Sequence, residues 1–360
     1  MYVDAEGGSD ANDGLSLTGA FATLQKASDA ATSYTTIYVC NGTYRNADFR
    51  TGSTANGAVV AFRNLREIVL SNLPGHVPRI EFDGLAGVSG YNVRGFEVRG
   101  FEVEGPAGQI TYEEAMADRS LHSRKLSGRG IFVDGGDHIH IHDNVIHHAP
   151  GAGIRVDGSD YCTVAGNVVY NSTWWSTNAE SGIVIAQSNS IDTDDGVKMT
   201  IRGNTVFGHL NYLPSLNTTT DGAIVDGSGI LVSQNSKSYL HGWFEISENV
   251  CHGNGIDGIL VQATDRIAVS DNVLFSNGLV TREPSVSRQS YTGLTLLSVT
   301  DVFVQNNSVS AALTDDYAYK MDADSSLHHT ASSAELNYVC VGQVSAGLVQ
   351  LVEVIAACIS

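Results

Sequence analysis

A repeat of short strands and fixed corners runs through the middle of this 360-residue chain. Each repeat contains an Asn followed by Val or a close variant, and a Gly followed by Ile or Leu. Where nothing is inserted, the period is 23 residues, as from residue 144 to 167 and from 249 to 272. Self-similarity at such a period is typical of a solenoid, in which each repeat forms one coil. The Asn positions are Asn144, Asn167, Asn204, Asn249, Asn272 and Asn307, and the Gly positions are Gly130, Gly153, Gly182, Gly229, Gly258 and Gly293.

The composition favours strands and tight turns over helices. The chain has 38 Gly but only 6 Pro, and 16% of its residues are charged. Val, Ile, Asn and Thr are frequent, which suits short strands joined by tight corners. Together with the period, this composition predicts an all-β protein, a single-stranded parallel β-helix.

We assign three strands to each coil. The first begins at Gly-Ile, the second ends before the Asn and the third follows the Asn. Because successive side chains of a strand point to opposite faces, alternate residues of the first strand should fill the interior. The Asn side chains should stack as a ladder at the strand spacing of roughly 4.8 Å. The predicted interior positions are Ile131, Val133, Ile154, Val156, Ile183, Ile185, Ile230 and Val232, and the predicted outward positions are Phe132, Arg155, Val184 and Leu231.

Insertions lie beside the first strand of the coil. They precede it at residues 171–181, 207–228 and 277–292 and follow it at 186–197 and 233–242, whereas the Asn corner is never lengthened. Insertions on one face of a repeat protein usually mark its binding face. We therefore predict a groove whose floor is the outer surface of the first sheet.

The two ends of the repeat differ from its middle. An apolar face of Phe21, Leu24, Ala27 and Ala31 predicts a short amphipathic helix that caps the open end of the solenoid. This N-terminal cap takes up about residues 1–45 of a β-helix domain predicted for residues 1–310. Residues 311–360 lose the repeat, and we predict a C-terminal cap or an irregular tail there.

Charge and cysteine content restrict the partners of the chain. The formal net charge is −19, and only five of the 20 Lys and Arg residues lie beyond Arg202. This balance argues against nucleic acid and against an anionic membrane as partners, and we expect a monomer. The five Cys residues show no metal-ligand spacing: Cys162 and Cys251 fall on inward positions, whereas Cys340 and Cys358 could pair.

The coil pattern, the Asn corner and the opening YVDAEGGSDANDGLS, followed by FATLQKA and TIYVCNGTY, resemble right-handed parallel β-helix proteins of the pectate lyase superfamily, particularly bacterial polysaccharide lyases. The resemblance covers about residues 2–310. It implies a right-handed coil and a secreted or periplasmic enzyme that acts on an acidic polysaccharide, although no signal peptide precedes the cap. It is specific for the fold and less so for the activity, because the superfamily also holds hydrolases, epimerases and non-enzymes.

Lyases of this superfamily work by β-elimination. A Lys or Arg takes the proton α to a uronate carboxylate, and Ca²⁺ held by acidic side chains, or an Arg, neutralises that carboxylate. The resemblance therefore makes the outward Arg155 and Lys198, beside an acidic loop, candidate catalytic residues, with His148 as a reserve acid or base. Arg155 could instead pair with Asp134 or Asp157, and Lys198 could belong to a salt-bridged turn.

Further candidates surround the predicted groove. Oxygen ligands from several strands suit Ca²⁺, and acidic residues lie just before Gly-Ile in adjacent coils and beside Lys198. Cationic residues cluster at one end of the groove, and loop aromatics could stack on sugar rings. The candidate calcium ligands are Glu180, Asp221, Asp226 and Asp195, and the candidate substrate-binding residues are Arg124, Lys125, Arg129, Trp174, Trp175 and Tyr212. The alternating His138, His140 and His142 are predicted to form a surface stripe away from the groove.

The leading hypothesis is a polysaccharide lyase that acts on a uronate-containing polysaccharide. A glycoside hydrolase would need two carboxylates at hydrolase separation, which the acids near Asp194, Asp195, Asp221 and Asp226 could supply. A uronate epimerase shares the first step of the lyase. A non-catalytic carbohydrate-binding β-helix is the remaining alternative, and the regular outward Thr ladders of an ice-binding surface are absent.

Overall fold

The chain winds into a parallel β-helix with three strands in a typical coil. The computed structural model describes residues 1–46, 57–120, 124–176, 180–214, 224–279, 292–311, 317–322, 340–341 and 343–344. Strand pairings between consecutive coils are parallel throughout these residues, as between Ile154–Asp157 and Ile183–Ala186. The predicted all-β solenoid is therefore confirmed.

The strands form one sheet of 17 and one sheet of 10 strands. Long strands bend through a corner and so join the predicted first and second sheets into the larger one, while the third sheet is separate. The larger sheet contains β1 Tyr2–Val3, β2 Thr36–Val39, β4 Ala58–Arg63, β5 Arg66–Asn72, β7 Ala86–Arg99, β9 Arg129–His142, β11 Ile154–Ala165, β13 Ile183–Ala186, β14 Val197–Arg202, β16 Ile230–Ser233, β17 Trp243–Ser247, β19 Ile259–Gln262, β20 Ile267–Ser270, β22 Thr292–Leu297, β23 Val302–Gln305, β25 Tyr317–Met321 and β27 Gln343–Val344. The third sheet contains β3 Thr43–Arg45, β6 Arg79–Glu81, β8 Glu102–Glu104, β10 Val145–His147, β12 Val168–Tyr170, β15 Thr205–Phe207, β18 Val250–His252, β21 Val273–Asn277, β24 Ser308–Ala311 and β26 Cys340–Val341.

The core is a continuous column of aliphatic side chains inside the coils. All eight predicted interior residues of the first strands are at most 1% exposed and belong to one hydrophobic cluster. Their register is exact from coil to coil, as in Ile131, Ile154 and Ile183. Alternation of side chains therefore predicts the inward and outward faces correctly, since Phe132, Arg155 and Val184 align in the outward column.

The predicted Asn ladder is confirmed at the corner between the second and third sheets. Each Asn amide nitrogen donates to the side-chain oxygen of the Asn in the next coil, over 2.8–3.1 Å from Asn144 through to Asn307. The same nitrogen also donates to backbone carbonyls, as Asn167 does to Ile141 and Ala165. Because the Asn side chains are at most 1% exposed, each satisfies corner groups that would otherwise lack partners in the interior.

A second ladder, not predicted from the sequence, follows the third strands. Ser172, His209, Asn254 and Asn277 occupy equivalent positions, and each accepts from the backbone N–H of the residue one coil earlier. The Nδ1 atom of His209 accepts from the Ser172 N–H at 3.2 Å, and its Nε2 lies 3.2 Å from the Val169 carbonyl. A neutral ring with its proton on Nε2 makes both hydrogen bonds.

The Gly of the Gly-Ile corner is required by close approach of the backbone. A Cβ on Gly153 would lie 2.3 Å from a Val169 methyl and 2.9 Å from the Gly182 carbonyl oxygen. A Cβ on Gly130 would likewise lie 2.5 Å from the Gly153 carbonyl oxygen. The recurring Gly therefore marks where each coil turns tightly into its first strand.

The N-terminal cap contains the predicted helix in a shorter form. Helix α1, Leu24–Ala30, is N-capped by Thr23, whose side chain accepts from the Lys26 N–H. Phe21, Leu24 and Ala27 are buried as predicted. At the other end, β25 pairs with β22 and β27 pairs with β25, so the first sheet continues for two rungs beyond residue 310.

The remaining helices lie in the insertion between β8 and β9. They are a 3₁₀ turn at Ala107–Gln109, α2 at Tyr112–Asp118 with a capping box from Thr111 and Glu114, and α3 at Arg124–Ser127. No helix in the described ranges has the length and apolarity needed to cross a bilayer. Cys162 and Cys251 are buried free thiols, as predicted, whereas the pairing of Cys340 with Cys358 falls outside the described residues.

Candidate functional site

The outer face of the first sheet is the predicted floor of the groove. Its outward residues in β13 and β16 are covered, since Val184 is 0% and Leu231 5% exposed. One outward column runs through Ser89, Phe132, Arg155, Val184 and Leu231, and the neighbouring column runs through Tyr91, Asp134, Asp157, Ala186 and Ser233. Charged residues occupy only the β9 and β11 part of these stretches, whereas later coils carry aliphatic or small residues. The chemistry of the floor is therefore concentrated on two rungs.

A buried ionic network lies at the edge of this floor. Glu180 is fully buried, and its Oε1 atom accepts from Arg129 Nη2 at 2.6 Å and from Arg129 Nε at 2.9 Å. Its Oε2 atom lies 3.3 Å from Arg155 Nη1. The Nε atom of Arg155 donates to Asp157 at 2.8 Å. The Arg129 guanidinium also stacks on Phe132, 4.4 Å from the ring centre.

This network defines what Arg155 can do. The side chain faces outward as predicted, but it pairs with Asp157 of its own strand and with Glu180. Burial alone would lower the pKa of Arg155, but the charges of Glu180 and Asp157 outweigh it, and the pKa lies above its ordinary value. A guanidinium held in its charged form can orient or neutralise a carboxylate, but it cannot abstract a proton.

Asp134 and Asp157 are a pair of carboxylates that the sequence reasoning named only as partners of Arg155. They are in register on adjacent rungs, so roughly 4.8 Å separates their strands. Asp134 is exposed, whereas Asp157 is half-buried beside Arg155. Burial raises the pKa of Asp157, although its bond to Arg155 acts in the opposite direction. Two carboxylates in unlike environments are the arrangement used for acid and base roles in one reaction.

The wall before the first strands carries the predicted aromatic residues. Trp174, Trp175 and Tyr212 form one cluster with ring centres 5.6–6.5 Å apart, and the Trp175 indole N–H donates to the Ala107 carbonyl at 2.8 Å. Trp175 is buried, but Tyr212 is exposed. A pocket of about 350 Å³ is lined by Tyr112, Trp175, Leu210, Asn211, Tyr212, Ile224 and Leu279. Its apolar and aromatic lining suits one face of a sugar ring.

Lys198 lies in the opposite wall and is not suited to the predicted catalytic role. It is the extra residue of a bulge in β14, and its side chain is fully buried. Its Nζ atom lies 2.6 Å from Asp192 and 3.3 Å from Asp160, and Tyr239 donates to the other Asp160 oxygen. Burial lowers the pKa of Lys198, but the two carboxylates outweigh burial and raise it. A base for β-elimination needs a lowered pKa, so this environment does not favour Lys198 as the base, and its catalytic role stays a prediction.

His148 lies at the corner after β10, on the outside of the wall. Its Nδ1 atom is 2.8 Å from Nδ1 of His147, and its ring contacts Trp174 edge-on at 5.5 Å. Burial lowers the pKa of His148 and of His147. The predicted acid–base role of His148 stays a prediction. His138 and His140 are exposed on the second sheet, which confirms the predicted His stripe.

The predicted calcium ligands lie in two places. Glu180 and Asp226 are neighbours, since the Gly227 N–H donates to the Glu180 carbonyl at 3.1 Å. Glu180 is bound by two guanidinium groups, and Asp195 accepts from His241 at 3.1 Å in the opposite wall. Asp226 is buried beside the turn into β16, and Asp221 lies outside the described residues. Within the described ranges, the one group of three or more potential metal ligands is Glu104, His147 and His148. Glu180 as a calcium ligand stays a prediction, although Arg129 donates to one of its oxygens and Arg155 lies 3.3 Å from the other.

Arg124, Lys125 and Arg129 are the cationic residues predicted to bind substrate. Arg129 belongs to the ionic network, where its guanidinium pairs with Glu180. The backbones of Arg124 and Lys125 lie in α3, and their side chains fall outside the described residues.

Asp257, which was not predicted, is buried just before β19 and accepts from Thr292 and Thr295. Burial raises its pKa to about 6.

Comparison with known proteins agrees with this architecture. Residues 124–309, more than half of the chain, match the family model described as a right handed beta helix region. The chain belongs to the right-handed β-helix family. No curated protein matches this β-helix protein significantly in sequence.

Solved structures resemble the β-helix protein at low identity. The mannuronan C-5 epimerase AlgE4 A-module of Azotobacter vinelandii is 15% identical, with a TM-score of 0.44, over 94% of this chain and 96% of that one. Pectate lyase Pel9A is 17% identical, with a TM-score of 0.45, over 85% of this chain and 77% of that one. A GH136 lacto-N-biosidase of Eubacterium ramulus is 15% identical, with a TM-score of 0.47, over 91% of this chain and 55% of that one. At these values the neighbours assign no activity to the chain.

Proposed function

We propose that this β-helix protein is a carbohydrate-active enzyme that binds a glycan along the groove and cleaves it beside Asp134 and Asp157. The in-register pair of carboxylates on the groove floor carries the proposal. Retaining glycosidases place two carboxyl groups about 5–5.5 Å apart, close to the spacing of parallel strands. Asp157 is partly buried beside Arg155 and Asp134 is exposed, and such unlike environments suit a division of acid and nucleophile roles between the two.

The ionic network of Arg129, Arg155, Asp157 and Glu180 supports this role, because burying its charges is unfavourable for stability. Burying charges on the outer surface of a solenoid is unfavourable, and other coils place Val184 and Leu231 at the position of Arg155. Because aliphatic residues fill this position in other coils, the fold does not need charges here, and their presence fits a functional site. Arg155 would orient Asp157, and the aromatic wall around Tyr212 would hold neighbouring sugar rings.

β-Elimination on a uronate-containing polysaccharide is the second candidate. Arg155 supports it, because a guanidinium on the floor can bind a substrate carboxylate. The charges of Arg129 and Arg155 are, however, balanced by Glu180 and Asp157. The raised pKa values of Arg155 and Lys198 also make each a poor base for elimination.

Incubation with neutral glycans, pectate, alginate and glycosaminoglycans, with and without EDTA, tests both candidates. Hydrolysis produces new reducing ends without ultraviolet absorbance, whereas elimination produces an absorbing unsaturated product. We expect Asp157→Asn and Asp134→Asn each to lower kcat by about 10²–10⁴-fold. Asp271→Asn, an exposed residue at the Asn corner, is the matched control and should keep the wild-type rate. Unchanged turnover in both groove variants would remove this site.

A further inference from the structure

A cluster outside the groove has an arrangement that the proposed function does not use. Glu104 ends β8 and His147 ends β10, so the two residues are paired across adjacent rungs of the third sheet. His148 follows directly, with a left-handed backbone at a φ of 54°. One ligand atom from each of Glu104, His147 and His148 lies within 4.8 Å of the other two.

A neighbouring carboxylate fixes the orientation of the His147 ring. Nε2 of His147 lies 3.1 Å from Glu102 Oε1, which cannot donate when it is ionised. Nε2 therefore carries the ring proton, and the lone pair of the neutral ring lies on Nδ1. That Nδ1 faces Nδ1 of His148 at 2.8 Å. A carboxylate that holds the far nitrogen of a histidine is the usual second layer of a metal site.

The spacing of the donors fits one small ion. Two nitrogens at 2.0–2.1 Å from a metal are about 2.9–3.4 Å apart for bond angles of 90–110°. The observed 2.8 Å therefore needs only a slight opening of the histidine pair. Two imidazoles and one carboxylate suit Zn²⁺ and related transition metals, whereas Ca²⁺ prefers oxygen ligands.

The surroundings of the cluster also favour a cation. Among the described residues, Glu81, Glu102 and Glu104 form ion pairs with Arg45 and Arg79, so three carboxylates lie beside two guanidinium groups. Arg79, which pairs with Glu104, also lies 3.2 Å from Glu81 and so has another partner if Glu104 turns to a metal. A pocket of about 100 Å³ reaches Glu104 from the surface beside Gly105 and Gln109.

We propose that Glu104, His147 and His148 bind one first-row transition metal ion, with Zn²⁺ as the best fit, and that Glu102 positions His147 for it. The ion joins β8 to the corner after β10. The backbone already links these segments, since Ala107 N–H donates to the His148 carbonyl at 2.9 Å. Metal binding therefore secures the insertion that carries α2 against the aromatic wall.

Isothermal titration of the EDTA-treated, dialysed protein with Zn²⁺ tests the proposal. We expect one ion per chain and a rise in Tm with Zn²⁺ but not with Ca²⁺. His148→Asn, in which Asn tolerates the left-handed backbone, and Glu104→Gln should abolish saturable binding. Glu102→Ala should weaken it by about 10–100-fold. Far-UV circular dichroism verifies that each variant keeps the β-helix.

The exposed His stripe supplies the control. His140→Gln together with His142→Gln should leave the Zn²⁺ affinity unchanged, because these residues belong to another sheet. Co²⁺ gives a local readout, since it should quench the emission of Trp174, whose ring lies 5.5 Å from His148, and Trp174→Phe should remove that quenching. The proposal is overturned if Zn²⁺ does not bind at millimolar concentration, or if the stripe variant loses binding while His148→Asn keeps it. Neither outcome bears on glycan cleavage, so the two proposals fail separately.

Discussion

Lys198 is placed by a bulge rather than by the alternation of its strand. Val197 is exposed, whereas Lys198 turns into the space between Asp160 and Asp192. Asp160 is fully buried, receives the Tyr239 hydroxyl and accepts the Ile191 N–H. The lysine therefore holds the insertion after β13 against the second sheet, which is a structural role.

Removing this cation should destabilise the fold. Lys198→Met leaves Asp160 buried without its charged partner, which costs about 3–5 kcal/mol in the free energy of unfolding. Urea denaturation followed by circular dichroism measures this loss. Lys237→Met, in the adjacent loop and exposed, is the matched control and should stay within about 0.5 kcal/mol of wild type. Equal midpoints for the two variants would contradict the structural role.

For residues on the groove floor, the sequence predicts which face of the sheet a side chain lies on but not which residue it pairs with. The outward position of Arg155 follows from the alternation of its strand, which the sequence displays. Its bond to Glu180 does not, because Glu180 reaches the floor through an insertion of irregular path. Asp134 and Asp157 could have been found by aligning successive Gly-Ile motifs, which places one Asp at the same offset in each of two coils.

At the scale of elements, the two ladders tie the corners of the coil together. The Asn ladder follows from the repeat, but the second ladder contains Ser, His and Asn in turn and has no sequence signature. His209 occupies the position that Asn254 has in the next coil. Asn254 donates to the Val206 carbonyl much as His209 approaches that of Val169.

This substitution of His for Asn should make stability depend on pH. Burial lowers the pKa of His209 to about 4, well below the ordinary value of about 6.5 in an unfolded chain. The unfolded state therefore binds more protons between these values, and the contribution of the neutral ring is lost as the pH falls through that window. The change amounts to about 3 kcal/mol.

His209→Asn should reduce that loss while keeping the ladder. The free energy of unfolding, measured by urea denaturation at pH 7 and at pH 4.5, should fall less in the variant than in the wild type. His252→Asn, on the outer face of the third sheet, serves as the comparison and should retain the wild-type pH dependence. An identical decline in His209→Asn and wild type would show that another group is responsible.

At the scale of the whole molecule, the β-helix is a stack of nearly identical coils. The period predicted it because each coil has the same interior, the same Asn corner and the same Gly approach. The insertions were located correctly but their contacts were not foreseen, since packing of irregular segments depends on side chains distant in sequence. The pairing of Trp175 with Ala107, 68 residues apart, is one such contact.

Deleting a single coil tests whether the coils are interchangeable. Residues 249–271 form one period, and their removal would join Glu248 to Asn272. Asn204 would then donate to Asn272, and β15, β16 and β17 would pair with β21, β22 and β23. We expect a soluble β-helix that unfolds cooperatively with a modestly lower Tm, measured by circular dichroism. Loss of cooperative unfolding would mean that the coils are not interchangeable.

The Asn ladder also bears on how the chain reaches this structure. Asn144 and Asn167 are 23 residues apart, and Asn204 and Asn249 are 45 apart, so each bond closes a loop of moderate length. Closing a loop of 45 residues costs only about 0.6 kcal/mol more than closing one of 23. Once two coils have met, the exposed amide of the last Asn offers a ready partner to the next. Folding should therefore start at an uninterrupted pair of coils and spread toward both ends, with the insertions settling last.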